Sequence, residues 1–393
     1  MHEIFNLIPV SVHSGTVGAI HALWTFPAIV ILALIIAWSA ESAQYFISQG
    51  FALAVLAWLQ TAPEFMVEAD LAWHKEVHLM LANLTGSLRL LTGVGLPLVF
   101  FVSYLYNRKH KNGSTIRIEK AHSIEVAFFL IGLIYLFIVY IKGSLTLIDG
   151  FVMLGIYVLY LVFLLKLPSR EREEESHMEY IPAQILKMKG QYRTFTIVML
   201  FIAGGFGLIA AVDPFVESMK SVAVSVGISG FIFIQWVSPF LSEFPEKLSA
   251  FYWAKQKKGA TMGLMNITSS TINQLTLLPA LLPFIYSYAM GGVTPIRFDA
   301  YQESEILLTV AQLSTTMLLL IDMRFTLYEA SGMFLVWCIQ FFIPSTRGLA
   351  TLIFFIWALT EAVLIVLRIK GIDMVENFIS TYRKYIKIKK EEV

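Results

Sequence analysis

The dipeptide Pro-Glu at residues 63–64 is followed by Asn-Leu-Thr-Gly-Ser at 83–87. The second half of the chain repeats this pattern, with Pro-Glu at 245–246 and Asn-Ile-Thr-Ser-Ser at 266–270. From Glu to Asn the spacing is nineteen residues in the first copy (64 to 83) and twenty in the second (246 to 266). A carboxylate inside a membrane helix is costly and is usually functional. Two of them in matching halves predict a transporter whose site lies where two repeats meet.

The composition predicts a polytopic membrane protein. Of 393 residues, 57% are hydrophobic and 15% are charged, which excludes an ordinary soluble domain. The single cysteine, Cys338, excludes an internal disulfide and cysteine-based metal sites. We find no signal-peptide pattern, no His-Glu-x-x-His and no nucleophile motif, and therefore expect neither an enzyme nor a bound cofactor. The expected partners are the lipid bilayer and the transported cations; nucleic acid is not expected, and no protein partner is inferred.

Apolar runs long enough to span a membrane predict an all-α protein with eleven transmembrane helices. The runs lie at roughly 21–45, 49–72, 78–106, 123–142, 145–166, 195–217, 222–253, 259–290, 304–323, 326–344 and 348–368. They predict six segments: a lead-in at 1–20, a five-helix repeat at 21–166, a cytoplasmic linker at 167–194, a second repeat at 195–345, an eleventh helix at 346–370 and a basic cytoplasmic tail at 371–393.

Clusters of Lys and Arg predict the topology of these helices. They follow the third, fifth and seventh helices and fill the tail. With eleven spans all four clusters lie on one side, which predicts a multi-pass protein of the cell membrane with its N-terminus outside and its C-terminus in the cytoplasm. Because five is an odd number, the second repeat enters the membrane with the opposite orientation. The tail from about 372 to 390 is either an amphipathic helix on the membrane surface or a solvated segment.

The repeated motif predicts an oxygen-rich cation site. A proline in a helix interior frees backbone groups that need partners in lipid, so Pro63 and Pro245 predict helix breaks beside the central carboxylates of Glu64 and Glu246. A kinked helix with a snorkelling Glu is the alternative for a single copy. The further candidate ligands carry hydroxyl or amide oxygens: Thr61, Ser242, Asn83, Ser87, Asn266 and Ser270. These ligand types suit Ca²⁺ or Na⁺.

The arrangement resembles the sodium/calcium exchanger family of the cation/calcium antiporter superfamily. That family carries Gly-Thr-Ser-x-Pro-Glu and then Gly-Asn-x-x-Gly-Ser-Asn in each of two inverted repeats. The matches are Pro63-Glu64, Asn83, Gly86-Ser87, Pro245-Glu246, Asn266, Ser270 and the preceding Gly227-Ile228-Ser229. The resemblance covers roughly 21–344 and indicates a divergent, prokaryotic-type member. It implies alternating access, with Glu64 and Glu246 as central ligands.

The chain also departs from the family pattern. Where the family has an acidic or amide ligand four residues after the motif Ser, this chain has Leu91 in one copy and Gln274 in the other, and we keep Gln274 as a candidate ligand. Glu243 adds a third carboxylate, on the same helical face as Glu246 if the helix continues there. Arg89 has no counterpart in the family pattern. We predict that Arg89 is a tethered counter-cation that occupies the place of a second ion; the alternative is that it snorkels to the interface.

Other charged residues surround the first motif. Glu68 lies one helical turn after Glu64 and is predicted to extend an ion path toward the outside. Asp70 and His74 are interpreted as the water-exposed end of the same helix. Asp213, in the sixth predicted helix, is interpreted as a structural pair, an end cap or part of an entry route for the ion.

The sequence predicts a secondary active antiporter that exchanges Ca²⁺ for Na⁺ or H⁺ by alternating access at a midplane site formed by the two Pro-Glu helices. Two alternatives stay open. One is an antiporter of another cation, such as Mg²⁺, another divalent ion, or Na⁺ against H⁺. The other is a cation sensor that has the exchanger fold and does not transport.

Overall fold

The computed structural model describes residues 16–43, 61–107, 115–167, 180–256 and 259–386, and these residues are mostly helical. They form two compact units. Unit 1 comprises the described residues of Met1–Ser87, Ser169–Glu246 and Leu282–Thr294. Unit 2 comprises those of Leu88–Pro168, Lys247–Leu281 and Pro295–Val393.

The helices before residue 187 are α1 (Thr16–Ala43), α2 (Ala62–Trp73), α3 (Val77–Leu90), α4 (Leu96–Asn107), α5 (Ser123–Lys142), α6 (Leu147–Lys166) and α7 (Tyr180–Leu186). The later helices are α8 (Gly190–Ser225), α9 (Gly230–Ser242), α10 (Phe244–Lys255), α11 (Ala260–Leu275), α12 (Leu277–Met290), α13 (Ala300–Leu320), α14 (Leu327–Phe342), α15 (Arg347–Val366) and α16 (Asp373–Thr381). Short 3₁₀ turns cover Lys120–His122 and Pro344–Thr346, and π-helical segments cover Leu91–Gly95 and Tyr382–Ile386.

Six helical segments among the described residues are long and apolar enough to cross a membrane. They are Ile20–Ser39, Val77–Tyr106, Lys120–Lys142, Leu147–Lys166, Gly190–Ser225 and Pro344–Val366. Their outer faces carry exposed large apolar side chains, such as Phe151 on α6 and Leu359 on α15, as expected of surfaces that contact lipid. The predicted membrane-spanning character is confirmed, whereas the count of eleven spans and the inverted repeat stay predictions.

One predicted helix, 222–253, is wrong in its boundaries. α8 continues to Ser225, and the chain then turns at Gly227, whose φ of +71° suits a residue without a Cβ. The side chain of Ser229 accepts a hydrogen bond from the amide of Ile232 at 3.2 Å and so caps the start of α9. A turn residue and a cap therefore divide a stretch whose hydropathy alone is continuous.

Four short strands are a departure from an all-α chain. β1 (Thr115–Arg117) pairs antiparallel with β4 (Arg324–Thr326), and β2 (Ser144–Leu145) with β3 (Ile296–Arg297). In the first pair Ile116 faces Phe325, and in the second Leu145 faces Ile296. All four apolar side chains are buried. Each pair thus joins a loop of the first half of the chain to a loop of the second half.

Matching capping boxes begin α6 and α14. Thr146 N donates to Asp149 Oδ2 at 2.6 Å, and Thr326 N donates to Glu329 Oε2 at 2.7 Å. In each box the threonine hydroxyl accepts from the amide of the acidic residue in return. The same local hydrogen-bond pattern therefore starts two helices that the sequence predicts to correspond in the two halves.

The first part of the predicted tail packs on unit 2. Met374 of α16 is buried, and its amide donates to the carbonyl of Ile321 at 3.0 Å. Phe378 stacks on Phe163 of α6, with ring centroids 5.9 Å apart. α16 therefore covers protein with its apolar face, and residues 387–393 lie outside the described part of the chain.

Candidate cation site

Helix α2 begins at the first Pro-Glu motif. Pro63 lies in the first turn, where its missing N–H removes no helical hydrogen bond. The buried residue Thr61 precedes the helix, and its carbonyl accepts from the amide of Phe65 at 2.9 Å. Glu64 lies in the same first turn and is 1% exposed. The positive end of the helix dipole therefore favours its negative charge. Residues 49–60 of the predicted helix lie outside the described residues.

The Glu64 carboxylate is held by side chains from two other helices of unit 1. Asn83 of α3 donates through Nδ2 to Glu64 Oε1 at 2.8 Å. Ser242, the last residue of α9, donates through Oγ to Glu64 Oε2 at 2.7 Å. The first motif, its Asn partner and a residue of the second copy therefore meet at one carboxylate.

Glu68 belongs to the same group of side chains. It lies one turn after Glu64 on α2, is fully buried, and accepts from Asn83 Nδ2 at 3.3 Å. The sequence placed Glu68 on an outward path and did not connect it with Asn83. The i, i+4 spacing of the two acids was the available signal, because it puts both carboxylates on one helical face.

Glu243 lies at the break between α9 and α10. α9 ends at Ser242, so the expectation that Glu243 and Glu246 share one continuous helical face is wrong. Ser87 of α3 donates through its hydroxyl to Glu243 Oε1. Glu246 lies in the first turn of α10, directly after Pro245, and both acids are buried. We name the three acids Glu64, Glu68 and Glu243, with Asn83, Ser87 and Ser242, the carboxylate cluster.

Close packing of α3 on α9 brings this cluster together. An ideal Cβ placed on Gly86 would lie 1.8 Å from the carbonyl oxygen of Gln235, so only glycine fits at this position. Gln235 also donates to the hydroxyl of Thr85 at 3.4 Å, and that hydroxyl donates to the carbonyl of Leu81 at 2.7 Å. The Gly of the first Asn-Leu-Thr-Gly-Ser motif therefore sets a helix contact, and its Thr bonds back to its own helix.

The second Asn-containing motif lies on α11, in unit 2. Asn266, Ser270 and Gln274 follow each other at four-residue spacing, which puts them on one face of that helix. Ser270 and Gln274 are buried, and Asn266 is partly buried. The hydroxyl of Thr268 donates to the carbonyl of Leu264 at 2.9 Å, as its counterpart Thr85 does on α3. α11 therefore presents a row of amide and hydroxyl groups.

Arg89 lies in unit 2 and is fully buried, so the alternative that it snorkels to an interface is wrong. Its guanidinium donates to Glu305 Oε2 at 2.6 Å and to Gln340 Oε1 at 3.1 Å. Arg347 donates to the other oxygen, Glu305 Oε1, also at 2.6 Å. The sequence did not identify Glu305, because nothing local links positions so far apart in the chain. The role of Arg89 as a tethered counter-cation stays a prediction.

Glutamine side chains extend this arrangement. Gln340 donates to Gln312 Oε1 at 3.0 Å, and Gln312 donates to the carbonyl of Arg89 at 2.9 Å. Gln312 also donates to the hydroxyl of Thr92 at 2.8 Å, within the π-helical segment that follows Arg89. Leu91 in that segment is buried among apolar side chains. We name Arg89, Glu305, Arg347, Gln340 and Gln312 the arginine network.

A third polar group lies at the end of α2. His74 Nδ1 is 3.3 Å from Asp70 Oδ1. A carboxylate oxygen of Asp213 lies within 4.8 Å of a carboxylate oxygen of Asp70 and of a ring nitrogen of His74. Asp70 is 1% exposed, so its interpretation as a water-exposed residue is wrong. The hydrogen bond that His74 donates to the Asp70 carboxylate, together with the charge of that carboxylate, raises the pKa of His74 to about 9 against the opposing effect of burial. His74 therefore carries the positive charge that balances Asp70 at neutral pH.

Comparisons with known proteins identify the family of this chain. The family model described as "Sodium/calcium exchanger protein" matches residues 17–166 and 196–346. The chain belongs to the sodium/calcium exchanger family. This confirms the resemblance of the two motifs and the assignment to the cation/calcium antiporter superfamily. Relatives of this exchanger-family chain are single-chain membrane transporters that move cations.

Two solved exchangers share the fold. The crystal structure of the H⁺/Ca²⁺ exchanger CAX is 30% identical, covers 93% of this chain and 91% of its own, and has a TM-score of 0.84. The sodium-calcium exchanger NCX_Mj, soaked with Na⁺ and Sr²⁺, is 19% identical, with 83% and 98% coverage and a TM-score of 0.54. A comparison with curated proteins found no match to this chain. The family and fold together indicate a Ca²⁺ antiporter.

Proposed function

We propose that this exchanger-family chain carries Ca²⁺ across the cell membrane in exchange for H⁺ or Na⁺, by alternating access at a site built on α2 and α10. One observation carries the proposal: the buried Glu64 carboxylate accepts hydrogen bonds from Asn83 and Ser242, the amide and hydroxyl partners that the two motifs supply. An ionised carboxylate out of water requires a counter-charge, and a bound cation supplies it. Oxygen ligands of these types suit Ca²⁺, which takes about 6–8 of them.

The proposed ligand set extends beyond Glu64. Glu246 and Glu243 are the other acidic ligands, since both are buried beside the break between α9 and α10. The remaining proposed ligands within unit 1 are Thr61, Ser242, Asn83 and Ser87. Asn266, Ser270 and Gln274 on α11 stay candidate ligands predicted from the second motif. When Ca²⁺ leaves, protons or Na⁺ replace it on the carboxylates, because buried anions do not stay without a partner. The 30% identity to an H⁺/Ca²⁺ exchanger favours H⁺ as the counter-ion.

Inverted repeats with an eleventh helix complete the proposed architecture, with the N-terminus outside and the C-terminus in the cytoplasm. The pairing of β1 with β4 supports it, because paired loops lie on one side of the membrane and therefore enclose an even number of crossings. Six of the predicted helices lie between these two strands, and four lie between β2 and β3. The matching capping boxes of α6 and α14 support the repeat independently.

Flux through reconstituted vesicles tests the function. Liposomes that contain the purified protein should take up Ca²⁺ when H⁺ or Na⁺ is more concentrated inside than outside. The ion whose gradient drives uptake is the counter-ion. Glu64→Gln and Glu246→Gln should each abolish uptake, whereas Glu303→Gln, an exposed acid of α13, should not. Absence of cation flux under either gradient would contradict the proposal. Ca²⁺ binding without any flux would instead identify a sensor.

The role proposed for Arg89 is tested by the exchange ratio. If its charge occupies the place of a second ion, Arg89→Ala should change the number of counter-ions moved per Ca²⁺, measured from the reversal gradient in vesicles. Arg89→Lys keeps the charge and is the matched control. An unchanged ratio in Arg89→Ala would show that Arg89 acts only within the arginine network.

A further inference from the structure

We propose that Glu68 is a direct ligand of the transported cation and that it favours a divalent ion over a monovalent one. The Pro-Glu motif ends at Glu64, so no part of the motif assigns a role to Glu68. The inference rests on the proposed function, because it adds a ligand to that site.

The first argument is the geometry of the two acids. Glu64 and Glu68 lie one turn apart on α2, and one amide nitrogen, Asn83 Nδ2, reaches both. It lies 2.8 Å from Glu64 Oε1 and 3.3 Å from Glu68 Oε1. Because the two hydrogens of this NH₂ group are directed at the two carboxylates, the acids converge on the same point of α3. A cation that binds Glu64 on this face therefore finds Glu68 within the same shell of oxygens.

The second argument rests on two buried oxygen atoms that accept no hydrogen bond from the described residues. Glu68 Oε2 and Asn83 Oδ1 are buried, and no described residue donates a hydrogen bond to either. Turning the Asn83 amide over would direct its oxygen at both carboxylates, so the hydrogen bonds fix its orientation. Buried oxygens without donors are rare and unfavourable. A cation is the kind of partner that carboxylate and amide oxygens of this sort bind.

The third argument is charge. The ionisable groups that act most strongly on Glu68 are Glu64 on its own helix and Glu243 after α9, both acidic, and α3 contributes the neutral Asn83. Glu68 itself is fully buried, so water does not offset this repulsion. One divalent cation neutralises two carboxylates, whereas one monovalent cation neutralises one. Glu68 therefore raises the affinity for Ca²⁺ more than that for Na⁺.

Glu68→Gln is the decisive variant, since it keeps the size and one acceptor oxygen and removes the charge. We expect Ca²⁺ affinity, measured by calorimetry on detergent-purified protein, to fall about tenfold. In vesicles the KM for Ca²⁺ should rise in parallel with little change in the maximal rate, and Na⁺ should compete more strongly. Asp70→Asn is the matched control: it removes another buried acid of α2, whose partner is His74. Its Ca²⁺ affinity should stay close to that of the wild type.

A structural role for Glu68 predicts a different result. If Glu68 only accepts a hydrogen bond from Asn83, Glu68→Gln should bind Ca²⁺ like the wild type, and this outcome would overturn the inference. Glu68→Asp keeps the charge and guards against misfolding of the Gln variant; it should bind Ca²⁺ more tightly than Glu68→Gln, and equal losses would also overturn the inference. Failure of the wild type to transport would overturn the proposed function alone, because the binding experiment decides Glu68 separately.

Discussion

The carboxylate cluster of unit 1 and the arginine network of unit 2 are both buried, yet their charges are arranged in opposite ways. In the cluster, one neutral amide, that of Asn83, donates to both Glu64 and Glu68, and the hydroxyls of Ser242 and Ser87 donate to Glu64 and Glu243. In the network, the single acid Glu305 lies between the guanidinium groups of Arg89 and Arg347. The acid Glu68 therefore has acidic neighbours, whereas the acid Glu305 has basic ones.

This difference separates a binding site from a structural element. Removing charges from water is unfavourable unless opposite charges meet them in good geometry. The arginine network meets this requirement with fixed side chains, so we expect it to be permanent. Glu68 has no basic partner among the described residues, so a cation that is not part of the chain is the counter-charge that we propose for this side chain. Added Ca²⁺ should therefore raise the free energy of unfolding through the carboxylate cluster and not through the arginine network.

The largest expected effect comes from breaking the arginine network. Glu305→Gln leaves two buried guanidinium groups without their shared carboxylate, and we expect the free energy of unfolding in detergent to fall by about 3–5 kcal/mol. Ca²⁺ should not restore this loss. Glu303→Gln, on the exposed face of the same helix, is the control and should be neutral. Equal stability of the two variants would show that Glu305 does not hold the network together.

A smaller loss is expected from separating the helices that form the carboxylate cluster. In Gly86→Ala the new Cβ meets the carbonyl oxygen of Gln235 at 1.8 Å, so α3 and α9 must move apart. We expect a loss of about 1–3 kcal/mol in unfolding free energy, together with weaker Ca²⁺ binding. Gly205→Ala on α8 has open space around its Cβ and should instead be neutral or slightly stabilising. Wild-type Ca²⁺ affinity in Gly86→Ala would contradict this role of the contact.

Adding one carboxylate to each region tests the contrast directly. Asn83→Asp places a third acid beside Glu64 and Glu68, and should lower stability without cation by about 1–3 kcal/mol. It should also increase the stabilisation that Ca²⁺ provides. Gln340→Glu places an acid where Gln340 Oε1 now accepts from Arg89 at 3.1 Å. The new ion pair offsets the hydrogen bond that Gln340 donates to Gln312, so stability should change by less than about 1 kcal/mol. Thermal unfolding with Ca²⁺ and with chelator measures all four states, and equal responses would contradict the contrast.

The smallest effect concerns His74, which provides its own positive charge to a buried acid. Its pKa of about 9 lies above the usual value, so the stabilisation is complete below about pH 6.5 and is lost as the pH rises through about 9. His74→Gln should therefore lower the melting temperature by about one or two degrees at pH 6 and leave it unchanged at pH 10. The half-exposed side chain keeps the effect small. A pH-independent difference would contradict the ion pair.

Much of the site was predictable from local sequence because its cues are local. Proline at 63 and at 245 each indicates a helix start, and each places the following Glu in a first turn. Three other features were not predictable. Whether Asn83 donates to both Glu64 and Glu68 depends on how α2 packs on α3. The Arg89–Glu305 pair joins residues that are far apart in the chain. The turn at Glu243 depends on where α9 ends rather than on hydropathy.

The sequence by itself determined that this is a membrane protein of the sodium/calcium exchanger family with two copies of an acidic, proline-broken motif. These properties follow from hydropathy, residue types and spacing, which do not depend on distant parts of the chain. The tertiary structure alone decided which acids converge and which are already neutralised. Burial makes each unmatched charge costly, so the partners that folding brings to Glu68 and to Arg89 decide which side chain requires an added cation and which already has its counter-charge.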